Sequence, residues 1–460
     1  MNDRLRQSFP LVTHSSLDEM IAFREGQGIT VGRFFADVDR LARLLGSGGH
    51  LVNLCCDRYH FMVGLAAGML SGKTSLLPSS HTQGMLRALV EFAPDSVCLN
   101  DGCATAIDLP QIDYPEDEGN NGDGITAGQS IPLIDGKQPV AYVFTSGSTG
   151  VPVPHLKTWA SLVKNIRAEA QRLGMVEGRR YTLIGTVPSQ HMYGFESSVL
   201  LAMQASGAIS SKQPFYPSDI CAAISTAPRP RMLVTTPFHL RSLMDDGLDV
   251  PPLDLLLSAT APISEHLARE AEMRFDAPLI EIYGCTESGQ IASRQPSVST
   301  EWHLFPDVCI TFQDGRAWVG GGHIEGLVEL GDVLESVGED RFLLHGRTED
   351  LVNIAGNRSS LSYLNHQINM IPGVLDGIFF MPENENPERV VRLTALVVAP
   401  GLDAESLTLA LSERIHPAFL PRPLLFVDAL PRNDTSKLPR ELLYALAQAG
   451  MERPTNGNKR

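Results

Sequence analysis

The densest chemical signal in the chain is Phe144-Thr-Ser-Gly-Ser-Thr-Gly-Val-Pro152. Six consecutive residues, Thr145, Ser146, Gly147, Ser148, Thr149 and Gly150, carry a hydroxyl or are glycine. The hydroxyls donate at short range, and the glycines let backbone N–H groups turn inward, so the segment suits the wrapping of a phosphate. It follows an apolar stretch, Pro139 to Phe144, that reads as a buried strand. A second string, Gly68-Met-Leu-Ser-Gly-Lys73-Thr74, imitates a nucleotide loop. It is one residue short, has Ala67 where the first glycine belongs, and follows a helix instead of a strand, so it reads as a helix stop.

These residues need a frame. Phe34 to Leu45 reads as an amphipathic helix, His50 to Cys55 as a strand, Phe61 to Leu70 as a helix with small residues on one face, and Ser75 to Pro78 as a strand. Tyr181 to Val187, Met232 to Thr235, Leu253 to Leu257 and Leu279 to Tyr283 read as further strands, most followed by a polar or glycine-rich turn and a helix. The repeated order predicts an α/β fold whose loops gather at one sheet edge. Gln111 to Gly136, rich in Asp, Glu, Asn and Gly, reads as a surface loop without chemistry. After about Ser293 the pattern changes to a small β-subdomain, with strands around Val308 to Phe312, Gly326 to Leu330 and Arg341 to Leu344. A second α/β unit begins near Gly346, with helices around Tyr363 to Ile371 and Ala404 to Ile415 and strands near Gly377 to Met381 and Val390 to Val398.

The 460 residues are about three times a typical domain. The chain is 43% hydrophobic and 20% charged, which excludes a wholly disordered or fibrous chain. Lys+Arg 37 against Asp+Glu 53 leaves −16, the wrong sign for a nucleic-acid binder. The longest apolar run, Phe61 to Leu70, is half of the ~20 residues that a membrane span needs. The start, MNDRLRQSFP, lacks the apolar core of a signal peptide. Seven scattered cysteines without a CxxC pair read as reduced thiols, and a cytoplasmic enzyme without a zinc site is expected.

The phosphate loop resembles the signature loop of the adenylate-forming enzymes: the acyl- and aryl-CoA synthetases, peptide-synthetase adenylation domains and luciferase. Five further blocks follow in that family's order. They are Ser258-Ala-Thr-Ala-Pro262, Tyr283-Gly-Cys-Thr-Glu287, Leu330-Gly-Asp332, Gly346-Arg-Thr-Glu-Asp350 with Gly356 and Arg358, and Pro431-Arg-Asn-Asp-Thr-Ser-Lys437. The resemblance implies a large N-terminal domain over 1–345 and a small C-terminal α+β lid over 346–460, hinged near 346–350 at Glu349. It implies ATP and Mg²⁺, activation of a carboxylic acid to acyl-AMP, and transfer to the phosphopantetheine thiol of CoA or an acyl carrier protein. Thr145 to Gly150 would hold the phosphates, Ala259 and Thr260 the adenine side, and Tyr283 the adenine face. Thr286 would touch the α-phosphate and Glu287 the Mg²⁺. Asp332 and Arg347 would meet the ribose, and Lys437 would bridge the carboxylate and α-phosphate.

Several positions depart from the family pattern. Val153 stands where the loop lysine is usual, leaving His155 or Lys157 as substitutes. Glu349, Asn353, Leu330 and Ser436 replace the usual Asp, Lys, Thr and Gly. The acyl pocket resembles the PxxHxYG stretch in Pro188-Ser-Gln-His191-Met-Tyr193-Gly194, with His191, Tyr193 and Gly284 as its candidates. Met192 stands where amino-acid-activating members carry Asp, and Glu196 is out of register for that role, so an aryl or alkyl acid is favoured. Amino-acid activation and a degenerate non-catalytic binder are the alternatives. Asn353 to Asn365 holds one cation, Arg358, which tilts the expected acceptor towards a carrier-protein thiol over CoA.

Overall fold

The computed structural model describes residues 7–102, 107–115, 130–146, 152–175, 179–347, 351–354, 357–382, 393–432, 438 and 440–452. Gly147 to Gly150, Glu349 and Lys437, like the side chains of Ser146 and Arg347, lie outside what is described.

Two large sheets carry the N-terminal part. The strands Thr182–Gly185, Arg231–Thr235, Leu255–Ser258 and Leu279–Cys285 lie side by side and parallel in an eleven-stranded sheet. The first three are buried along their whole length, which is why they read as continuous apolar runs without alternation. A six-stranded sheet holds His50–Asn53, Thr74–Leu77, Ser96–Asn100 and Pro139–Ser146, with parallel pairing among them. The helix Arg58–Leu70 starts on Asp57, whose carboxylate accepts from the Tyr59 and His60 backbones. Its small face is required: a Cβ on Gly64 would lie 2.6 Å from Leu99 Cδ2. Lys73 is buried and donates to Gly48 O at 2.6 Å, so the false nucleotide loop is a helix stop held to a neighbouring turn.

Gln111 to Gly136 is not loop throughout. Gln111–Asp113 pairs in parallel with Ser96–Asn100, and Leu133–Asp135 pairs antiparallel with Ser8–Pro10. Three-residue strands are too short to show a period, and their partners are far away in sequence. The three-stranded sheet Val308–Gln313, Arg316–Gly321 and Ile324–Leu330 matches the expected β-subdomain. Arg341–Arg347 instead joins the eleven-stranded sheet, opposite Asp332–Ser336. From Val352 onward a separate apolar cluster forms around Leu364, Phe379, Val397, Leu407 and Phe419. There the helix Leu361–Asn369 packs on a sheet of Asp376–Phe380, Thr394–Val398 and Leu424–Phe426.

Candidate active site

The parallel strands of the large sheet end together, and their C-terminal ends carry the candidate residues, the usual place for a site in an open α/β sheet. Ser258, the last residue of its strand, pairs with Glu281, and Thr260 follows just beyond that strand end. Thr260 has φ +78°, a conformation that a β-branched residue adopts only when its surroundings force it. Its hydroxyl and that of buried Ser258 have no hydrogen-bond partner among the described residues. Two unsatisfied hydroxyls at a strained strand end fit a bound polar ligand such as a nucleotide base.

Tyr283 lies on the edge of an aromatic cluster, 5.5 Å from Trp302 and 5.7 Å from Phe342 between ring centres. Its hydroxyl donates to Asp332 Oδ2 at 2.6 Å. Asp332 in turn sits opposite Arg347 across a strand pair. Three blocks spread over some sixty residues thus converge. After Tyr283 the register shifts, and a Cβ on Gly284 would lie 2.8 Å from Gln290 Cα, so only glycine allows the hairpin to close. That closure presents Thr286 and Glu287 at the hairpin's tip, with the Glu287 side chain half exposed.

The phosphate loop is the connection of another hairpin. Pro139–Ser146 is answered by Pro152–Thr158, with Val153 opposite Thr145 and His155 opposite Val143. Val153, His155 and Lys157 share one strand face. Val153 is exposed, whereas His155 Nε2 lies 3.0 Å from Thr145 Oγ1 and 3.5 Å from Glu287 Oε1. Burial lowers the pKa of His155 from its ordinary value, and Glu287 opposes that shift. Lys157 runs deeper, is buried, and donates to the Glu287 carbonyl at 3.0 Å. Of the two substitutes for the loop lysine, His155 reaches Thr145, while Lys157 braces the Glu287 turn from beneath. Among the described residues no group of three or more His, Cys, Asp or Glu forms a metal cage. The half-exposed Glu287 carboxylate fits Mg²⁺ only if phosphate and water supply the other ligands, a normal environment for that ion.

His191 caps the helix that starts at Met192, accepting on Nδ1 from Tyr193 N at 3.3 Å. Tyr193 is buried, and its hydroxyl donates to Leu257 O at 2.9 Å, so it walls the interior next to the central strand. Ala259 is buried after that strand. From Phe195 to Leu200 the helix widens into a π segment, a feature often found where a helix serves a site.

Sequence reasoning missed a buried polar group beneath the Glu287 turn: Lys157, Asn165, Glu169, Glu196, Gln290 and His323. Asn165 and Glu169 fall on the same stripe as Leu162 and Ile166 of the helix Trp159–Arg172. Polar residues on an otherwise apolar helical stripe were the available signal. Burial pushes Glu169 up to about 7. Burial pushes Glu196 up to about 8, opposed mainly by the charge of Lys157.

Residues 14–310 match the family model of AMP-binding enzymes. A 4-coumarate–CoA ligase of Rhodobacter capsulatus is 27% identical over half of this chain, and the match spans 57% of that relative. One from Halorhodospira halophila is 29% identical over 64% of this chain and 73% of its own. The solved o-succinylbenzoate CoA synthetase MenE of Bacillus subtilis, in complex with its acyl-adenylate intermediate OSB-AMP, superposes with a TM-score of 0.79 at 20% identity. That superposition covers 95% of this chain and 98% of MenE, and shows the same fold. With the family model matched over well over half of its length, the chain belongs to the AMP-binding enzymes.

Proposed function

We propose that the protein is an acid–thiol ligase. It joins an aryl or alkyl carboxylic acid to the α-phosphate of ATP, releases pyrophosphate, and passes the acyl group to a phosphopantetheine thiol. The observations that support this reading are two contacts among the blocks: Tyr283 bonds Asp332, and His155 lies between Thr145 and Glu287. The reaction needs no covalent protein nucleophile, so positioning and charge neutralisation are the work of the site. Asp332, oriented by the Tyr283 hydroxyl, offers its carboxylate to the ribose hydroxyls. Thr145 and His155 address the outer phosphates, and Glu287 holds Mg²⁺, which when bound offsets phosphate charge. Lys437, in a lid running from Gly346 and hinged near Glu349, bridges the acid's carboxylate and the α-phosphate.

The relatives named as CoA ligases support CoA as the thiol, against the tilt towards a carrier protein that the thin basic content of Asn353 to Asn365 suggested. Competition between CoA and holo-carrier proteins at equal thiol concentration decides it. The reaction itself is tested by pyrophosphate release over a panel of aryl, fatty and amino acids. Release with aryl or alkyl acids, lost roughly 10²-fold or more in Lys437→Ala while ATP still binds, is the expected result. Release with amino acids alone, or with none, overturns the proposal.

A further inference from the structure

One strand holds Glu287 at two points. Side chains two apart on a strand share a face, so His155 and Lys157 of Pro152–Thr158 point the same way. His155 Nε2 lies 3.5 Å from the Glu287 carboxylate, and Lys157 Nζ donates to the Glu287 carbonyl at 3.0 Å. The same strand face therefore meets both the side chain and the backbone of one residue.

Glu287 needs that support. Cys285 pairs with Gly289, so Thr286, Glu287 and Ser288 form the turn and stand outside the ladder. A half-exposed carboxylate on such a turn keeps one direction only if its peptide is anchored. Mg²⁺ demands near-ideal octahedral geometry, so a carboxylate that swings is a poor ligand for it.

Lys157 is suited to be the anchor. It is 7% exposed, and its ammonium is directed at a carbonyl beneath the turn. A hydrogen bond from a charged donor is roughly twice as strong as one between neutral groups. Burial lowers the Lys157 pKa, and the charge of Glu196 opposes that shift. The strand itself is fixed along its length against Pro139–Ser146, and at its end Thr158 Oγ1 donates to Glu325 Oε1 at 2.7 Å.

We infer that Lys157 is a positioning residue: it holds the Glu287 peptide so that the carboxylate keeps one direction towards the metal of metal–ATP. It acts through Glu287 and touches neither nucleotide nor metal. The inference rests on the role of Glu287 proposed above.

Mn²⁺, whose binding is read directly by paramagnetic resonance, is the probe, with the full-length protein, ATP and no acid. Lys157→Met should weaken Mn²⁺ in the ATP complex roughly tenfold or more, as loss of a group that orients a metal ligand does, while ATP binding in EDTA stays within about threefold of the parent. A double-mutant cycle with Glu287→Gln shows whether the two residues act by one route. Glu287→Gln should weaken Mn²⁺ by itself, and adding Lys157→Met should weaken it little further. Unchanged Mn²⁺ affinity in Lys157→Met, or full additivity in the cycle, overturns the inference. Unchanged affinity in Glu287→Gln removes the metal role of Glu287, and the inference with it. Should Lys157→Met fail to fold with Glu196 left alone, Lys157→Met combined with Glu196→Leu takes its place, with thermal melts verifying the fold. Failure of both to fold would make Lys157 a structural lysine and overturn the inference.

Discussion

His155 shows how a strand's two-residue period can relocate a function. Val153, where the family resemblance calls for a lysine, shares a face with His155, and His155 reaches both Thr145 and Glu287. His155→Ala should lower kcat/KM for ATP about tenfold or more, as loss of a contact to developing charge does. Val153→Lys in the same background should restore most of it; a double variant no better than His155→Ala would show that the histidine is structural. Thr260 makes a second case. Its positive φ costs on the order of 1 kcal/mol, which glycine does not incur. Thr260→Gly should therefore raise the melting temperature while weakening ATP binding severalfold, both readable in one thermal-shift titration with and without ATP.

Among the elements, the run from Thr182 to Gln204 depends on one buried arginine. Arg58, fully buried, donates to the Gly185 and Val187 carbonyls and to the Ser189 and Ser198 hydroxyls. It ties the end of a central strand to the helix that His191 caps. Burial lowers its pKa to about 10, so it stays charged at neutral pH. Gly185 must be glycine, because a Cβ there would lie 2.9 Å from the guanidinium carbon. Arg58→Met would leave several buried acceptors without donors and should cost on the order of 3 kcal/mol in urea unfolding. Arg58→Lys should recover little, since an ammonium cannot span four acceptors in a plane.

This element scale also shows what was legible in the sequence. The long strands and helices of both sheets were readable because burial of whole strands leaves runs such as Leu255 to Leu257. The order of the chemical blocks named Tyr283, Glu287 and Asp332, and the hydrogen bond between Tyr283 and Asp332 brings two of them into contact. The buried polar group beneath the Glu287 turn was missed because each of its residues has a bland meaning alone. Glu196 was weighed only against an amino-acid motif, and His323 sits in a hairpin whose packing on Gly289 no local pattern reveals. Burial, the property that turns a solvated charge into a site, is set by partners 31 to 130 residues away.

For the whole molecule, buried ionisable groups shape the response to pH. Burial raises Glu169 to about 7 from 4.5, so the folded chain keeps a proton that the unfolded chain loses above about 4.5. Its contribution, on the order of 3 kcal/mol, is present below that pH and is lost as pH rises through 7. His239 acts in the opposite sense. Burial lowers it to about 4 from 6.5, so its contribution is present above 6.5 and is lost as pH falls through 4. Glu169→Gln should therefore gain in melting temperature relative to the parent as pH rises from 5 to 8. A constant difference across that range would mean that Glu169 is ionised in the fold.

Asp376 lies between two arginines. Arg432 grips it with two hydrogen bonds of 2.8 Å from within the C-terminal part, while Arg241, on the helix Pro237–Asp245, reaches it only at 3.7 Å. The near grip travels with the C-terminal part if that part rotates, whereas the far one must let go. A long, partly exposed ion pair is worth about 0–1 kcal/mol and weakens with salt. Arg241 then behaves as a clutch that slips, costing little to disengage and responding to the ionic medium. If the C-terminal part rotates as proposed, raising salt from about 50 to 500 mM, across which the Debye length shrinks severalfold, should speed that motion, followed by fluorescence energy transfer between dyes on the two parts. Arg241→Ala should show the high-salt behaviour at low salt, and an exchange rate indifferent to both would mean that the clutch is not engaged in solution.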